Sequence, residues 1–107
     1  MVKIESDINK KIIQFYHIIK KLYSVKKVLL YGSYAKGTFT KDSDIDVAVV
    51  IDETDFTRRI EITSQLYRIA SDIDVFIEPK CIFRNEFLHH EPTSILAEII
   101  RTGKVVV

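Results

Sequence analysis

Residues 28–51 read VLLYGSYAKGTFTKDSDIDVAVVI, and this stretch decides the fold. Val28, Leu29, Leu30 and Tyr31 form a short apolar run stopped by Gly32, the pattern of a buried strand. A loop follows through Gly37 and Asp42. Asp44 to Ile51 reads as a second strand, rich in β-branched residues. Its two faces differ: Ile45, Val47, Val49 and Ile51 make one wholly apolar face, whereas Asp44, Asp46, Ala48 and Val50 make the other, acidic at its start only. A short connection between antiparallel strands would set the Gly32 end of the first beside the acidic start of the second.

Upstream, Ser6 or Asp7 can cap a helix on which Ile8, Ile12, Phe15, Ile19 and Leu22 recur at alternating steps of four and three. Lys10, Lys11, Lys20 and Lys21 fall off that stripe and read as its solvated face. Downstream, Asp52 to Asp55 is a polar break in which Thr54 or Asp55 caps a second amphipathic helix carrying Phe56, Ile60, Leu66, Tyr67 and Ala70. Asp72 to Ile77 is expected to be a third strand, closed by Pro79. Helical patterns follow at Phe83 to His90 and, after Pro92, from Thr93 or Ser94 through Ile95, Leu96, Ile99 and Ile100 to Gly103. Val105 to Val107 reads as a short edge strand or a packed tail.

The link over residues 52–71 is long enough for a right-handed crossover, so strands two and three should be parallel. The expectation is one α/β domain over residues 1–107. Its small mixed sheet has strand order 1-2-3, with strand 1 antiparallel to 2 and strands 2 and 3 parallel, and helices flank it.

With 107 residues the chain fits one modest core without a separate substrate domain. The net charge of +1 gives no global field to attract nucleic acid. The single cysteine, Cys81, excludes an intramolecular disulfide and suits a reducing cytoplasm. No apolar leader is visible at the start, and no apolar run is long enough to span a bilayer.

The chemistry gathers at Asp44, Asp46 and one later acid. Asp44 and Asp46 stand at i and i+2 on a strand, so they point the same way, roughly 6.6 Å apart at the backbone. On a parallel third strand Asp74 would join them when its side chain faces the same side; Asp72 lies two residues earlier on that face. Carboxylates that close repel one another unless a cation intervenes. Mg²⁺ suits an all-oxygen site that keeps water and phosphate ligands, and two such ions suit in-line phosphoryl displacement. Gly32 would let a phosphate approach the backbone, and Ser33 could add a hydroxyl donor at a short helical turn. The adjacent His89 and His90 point about 100° apart on a helix and chelate poorly together. Arg58, Arg59 and Lys41 read as solvated charges, and Cys81 as a buried small hydrophobe.

The run GSYAKGTFTKDSDIDVAVV (32–50) resembles the G-S-x10-D-x-D motif of the DNA polymerase β-like nucleotidyltransferases. Its G-S-x-A-x-G and S-D-I-D are close to the form of the minimal nucleotidyltransferase branch, Ile73-Asp74-Val75-Phe76 fits the branch's third-acid run, and ILAEIIRTGKVVV (95–107) looks like its usual ending. The resemblance implies that Gly32 and Ser33 hold the triphosphate of ATP. It implies that Asp44 and Asp46 ligate two Mg²⁺ ions, and that Asp74 ligates the catalytic metal and helps take the acceptor's proton. Minimal members resemble the antitoxin half of toxin–antitoxin pairs whose toxin is a helical HEPN ribonuclease, silenced when AMP from ATP is placed on one of its tyrosines. The implied protein is thus an ATP-using adenylyltransferase of the cytoplasm with a HEPN-family partner and no direct nucleic-acid binding. Two other readings stand beside it: an antitoxin that neutralises by contact alone, and nucleotidyl transfer to a small molecule or RNA.

Overall fold

A computed structural model describes residues 6–107. Helix α1 (Ser6–Ile19) is followed by β1 (Val25–Tyr31), a short helix α2 (Ser33–Lys36), β2 (Ile45–Ile51), α3 (Arg59–Ile73), β3 (Ile77–Phe83), α4 (Arg84–Leu88), α5 (Ile95–Thr102) and β4 (Lys104–Val105). The sheet order is β3-β2-β1-β4. Strand β1 is antiparallel to β2 and to β4, and β2 is parallel to β3. The expected order of the first three strands and their directions hold, and the edge strand at the C-terminal end is the two residues Lys104 and Val105.

The alternation along β2 builds two cores, one on each side of the sheet. Ile45, Val47, Val49 and Ile51 meet Ile8, Ile12, Phe15 and Ile19 of α1 and Ile62, Leu66, Ile69 and Ala70 of α3. Opposite, Ala48 and Val50 join Leu29, Ile82 and Ile99, with Tyr31, Phe87 and Leu96 at the margin. The first core is sealed by two long helices; the second is covered mainly by α4 and α5, and its rim is open.

Several sequence expectations need correction. The α1 stripe stops at Ile19: Leu22 lies beyond the helix and is half exposed. Ser6 and Asp7 fall within its first turn, so its cap lies outside the described residues. Phe56 lies in a 3-10 turn (Phe56–Arg58) ahead of α3 and, like Ile60 of the helix, is exposed; the buried face of α3 is Ile62, Leu66, Ile69 and Ala70. Lys11 is not free in solvent; its ammonium donates to the Asp74 carboxylate at 2.6 Å.

The largest correction concerns the third strand. Residues 72–77 alternate like a strand, but Ile73 also continues the helical spacing of Leu66, Ile69 and Ala70, and burial on the α1 side wins. The helix therefore runs to Ile73, with the Asp74 N–H bonded to the Ala70 carbonyl at 2.9 Å. Strand β3 starts at Ile77 and passes through Pro79, which was expected to end it. Strand β3 is an edge, and an edge strand tolerates proline because one row of its backbone groups faces away from the sheet. That outer row is partly occupied: the Arg59 guanidinium donates to the Cys81 carbonyl at 2.9 Å, pairs with Glu86, and lies 4.4 Å over the Phe83 ring. The charges expected in solvent at Arg59 thus brace this edge.

Candidate active site

Strand β1 ends on the register partners Tyr31 and Asp46, so the chain reverses beside the acidic start of β2. Gly32 makes the bend with φ 71° and ψ −150°, a region almost reserved for glycine. A second constraint acts on the same atom: a Cβ on Gly32 would lie 2.2 Å from Asp46 Oδ2. The bend and the carboxylate are therefore in direct contact, as the sequence expectation required. Ser33 opens α2, and its carbonyl accepts the Thr38 N–H at 3.0 Å. The loop is then folded back by the stacking of Tyr34 on Phe39, with ring centroids 4.4 Å apart. A turn in which the Thr40 N–H donates to Ser43 Oγ at 2.8 Å delivers Asp44 to the strand.

Asp44 and Asp46 stand together, but Asp74 does not join them. It caps α3, and its carboxylate accepts from Lys11 Nζ at 2.6 Å and from the Phe76 N–H at 2.8 Å. Lys11 belongs to α1, which packs on the other face of the sheet. Burial pushes the Asp74 carboxyl up, but the Lys11 and Phe76 hydrogen bonds outweigh it and hold it below the ordinary range. Asp72 is an exposed residue of the last turn of α3.

The acid that does stand beside the pair is Glu78. It is the register partner of Asp46 across the parallel β2–β3 pair, so both point to the same face, with strands ~4.8 Å apart. Burial pushes the Asp46 carboxyl up, and the neighbouring Glu78 and Asp44 push it further. Tyr31 Oη is raised to about 12, first by burial and then by Asp46 and Glu78. Glu78 was missed because Pro79 was read as the end of the strand. The signal was present: Ile77, Pro79, Cys81 and Phe83 alternate with Glu78 and Lys80, and the structure buries the first set.

Around the acids, Tyr31, Glu78 and Lys80 line a cleft of about 300 Å³ with Arg59, Thr63 and Tyr67. A neighbouring cleft of about 240 Å³ contains Gly32, Lys36 and Lys80 and reaches Ile95 and Ile99 on α5. Two ammonium groups, Lys36 and Lys80, thus flank the bend and the acid row. Among the described residues no three acidic, imidazole or thiol groups are gathered closely enough to hold a metal ion by themselves; Asp46 and Glu78 stand in register, with Asp44 next to them, as an open row. An open row of oxygens suits Mg²⁺, which keeps waters and substrate phosphates among its ligands. Burial first, and then the charge of Glu78 and Asp44, disfavours the ionised Asp46, and such a cation would relieve the repulsion.

Other side chains play no part in the row. Cys81 is buried, and burial pushes its thiol up to about 11, so it is an inert core group. His90 hydrogen-bonds the Phe87 carbonyl at 2.9 Å, and His89 follows the end of α4 as its cap.

Known proteins resemble this chain in sequence and in fold. A Methanocaldococcus jannaschii protein named "Putative protein adenylyltransferase" is 35% identical over 80 residues, which is 72% of this chain and 79% of that protein. A second of the same name and organism is 42% identical over 55 residues, 49% of this chain and 55% of its own length. A crystal structure of a toxin–antitoxin with AMP-PNP aligns with a TM-score of 0.58 at 27% identity, covering 92% of this chain and 72% of that one. Residues 10–107 match the family described as polymerase beta, nucleotidyltransferase. That match takes in the Gly32 bend, the acids of β2 and β3 and both cores, and the chain belongs to the polymerase β-like nucleotidyltransferase family.

Proposed function

We propose that this chain is a magnesium-dependent protein adenylyltransferase and the antitoxin of a toxin–antitoxin pair. It transfers AMP from ATP to a tyrosine of a HEPN-family ribonuclease toxin. The observation that carries the reading is the contact between the Gly32 bend and Asp46, with Glu78 in register beside it. That contact sets a backbone bend without a side chain directly beside a row of acids. The names of the relatives and the AMP-PNP complex support the donor and the class of partner.

Asp44, Asp46 and Glu78 would hold two Mg²⁺ ions, with Glu78 in the role that the sequence expectation gave to Asp74. When bound, the ions supply charge neutralisation at the phosphates. Gly32 admits the triphosphate to the backbone and Ser33 offers it a hydroxyl donor. Lys36 and Lys80 complement its charge from the adjoining cleft. The tyrosine oxygen of the acceptor bonds to the α-phosphorus, the bond to the bridging oxygen breaks, and pyrophosphate leaves. The phenolic proton passes to the carboxylate nearest the acceptor, Glu78. Positioning and electrostatics carry the rate, since the acids and the bend are set by the sheet before substrate arrives.

No helix among the described residues is long and apolar enough to cross a membrane. The test is incubation of the protein with labelled ATP, Mg²⁺ and the cognate HEPN protein. The toxin should gain label with wild type and none with Asp44→Asn. An unlabelled toxin, or equal labelling by that variant, ends the proposal.

A further inference from the structure

Tyr67 is one of the polar groups of the cleft that the reaction above leaves unused. Arg59, Thr63 and Tyr67 follow one another at steps of four on α3, so they form one stripe alongside the outer edge of β3. All three line the cleft of about 300 Å³ that Glu78, Lys80 and Tyr31 share. Arg59 is spent on the Cys81 carbonyl and on Glu86. Tyr67 is 43% exposed. It shares the cleft wall with Glu78, and its phenol is pushed up first by burial and then by the negative charge of Glu78, Asp44 and Asp46. A phenol of this chain therefore stands at the acid row, the place where the reaction needs an acceptor hydroxyl.

We propose that Tyr67 is an acceptor built into the chain, and that without a partner the protein transfers AMP from ATP to its own Tyr67. The inference rests on the nucleotidyl-transfer reading of the acid row. Tyr67 Oη bonds to the α-phosphorus, the bond from that phosphorus to the bridging oxygen breaks, pyrophosphate leaves, and the phenolic proton passes to Glu78. Tyr67 is held by its own helix within the cleft, so the reaction is intramolecular and needs no encounter. The product carries a nucleotide in the cleft, so modification of Tyr67 competes with modification of a partner.

The experiment uses the whole chain with ATP and Mg²⁺ and no partner, read by intact mass and peptide mapping. One AMP adduct is expected on Tyr67, absent in Tyr67→Phe and in Asp46→Asn. Its first-order rate constant should stay unchanged over about a tenfold range of protein concentration, as an intramolecular step requires. Label on Tyr31 or any other residue overturns the inference. Wild type that labels a HEPN partner but never itself overturns the inference and leaves the adenylyltransferase reading standing. Wild type that labels neither overturns both. A readout free of turnover is Mg²⁺ titration in the near ultraviolet, where the chain has tyrosines and no tryptophan. Tyr67→Phe should lose part of the wild-type difference spectrum; an unchanged spectrum places the phenol away from the acids and sinks the proposal.

Discussion

The pentapeptide Ser-Asp-Ile-Asp-Val occurs twice, at residues 43–47 and at residues 71–75, with opposite outcomes. In the first copy Asp46 lies on a strand and faces Gly32 and Glu78. In the second, Asp74 caps a helix and pairs with Lys11. Burial and then like charge raise the Asp46 carboxyl; burial also acts on Asp74, but the Lys11 and Phe76 hydrogen bonds outweigh it and its carboxyl is lowered. The first stands in the acid row, and the second is a strut between α1 and α3. Identical local sequence thus carries no role by itself. The flanks decide: Ala48 to Ile51 extend the first copy into a buried strand, and Ile62 to Ala70 extend a buried helical face into the second.

Exchanging the acids one at a time tests that contrast most strongly. Asp46→Asn should reduce transfer to the toxin by ~1,000-fold, as expected when a metal-holding carboxylate is removed. Asp74→Asn should leave it within about twofold, because its carboxylate serves packing rather than charge stabilisation. Initial rates with labelled ATP decide; an inactive Asp74→Asn that still melts like wild type would return the third-acid role to Asp74. Glu78→Gln sharpens the same point and should cost on the order of 100-fold in the same assay.

Gly32→Ala tests the bend that distinguishes the first copy. The new Cβ meets Asp46 Oδ2 in a backbone region costly for any other residue, so stability should fall by ~1–3 kcal/mol, and ATP binding should weaken with it. Urea melts and calorimetric titration with a non-hydrolysable ATP analogue measure the two effects.

The smallest effects concern stability and pH, and here the two aspartates should differ in sign. Asp46 has a raised carboxyl in the fold, so its ionisation works against the native state as pH climbs through that folded pKa. Asp46→Asn should therefore melt above wild type at neutral pH, with the gain vanishing in acid, where Asp46 is protonated. Asp74 has a lowered carboxyl, so its stabilisation is present above the unfolded pKa and disappears as pH falls through the folded one. Asp74→Asn should lose ~0.5–1 kcal/mol at neutral pH, a modest figure because Lys11 is partly solvated. Thermal melts between acid and neutral pH compare the pair; a destabilised Asp46→Asn would contradict the charge crowding at the acid row.

Much of this contrast was legible before any coordinates. The β1–bend–β2 unit was readable because its signals agree: an apolar run, a glycine, a loop and an alternating strand that begins with acids. The partner strand was not, because residues 72–77 satisfy both a helical and a strand period, and because Pro79 looks like a terminator until its strand is known to be an edge. Lys11 and Arg59 were likewise read as solvated charges, since nothing in a linear sequence shows that Asp74 lies within 2.6 Å of one or that the Cys81 carbonyl lies within 2.9 Å of the other.

The sequence by itself determined the order of elements, the apolar and acidic faces of β2 and the glycine at the bend, because each follows from steric and burial rules acting over a few residues. Only the tertiary structure decided which later acid stands beside Asp46. That choice depends on the register between β2 and β3, where a four-residue slide would keep every side chain on its own face and still set Asp74 in the place of Glu78.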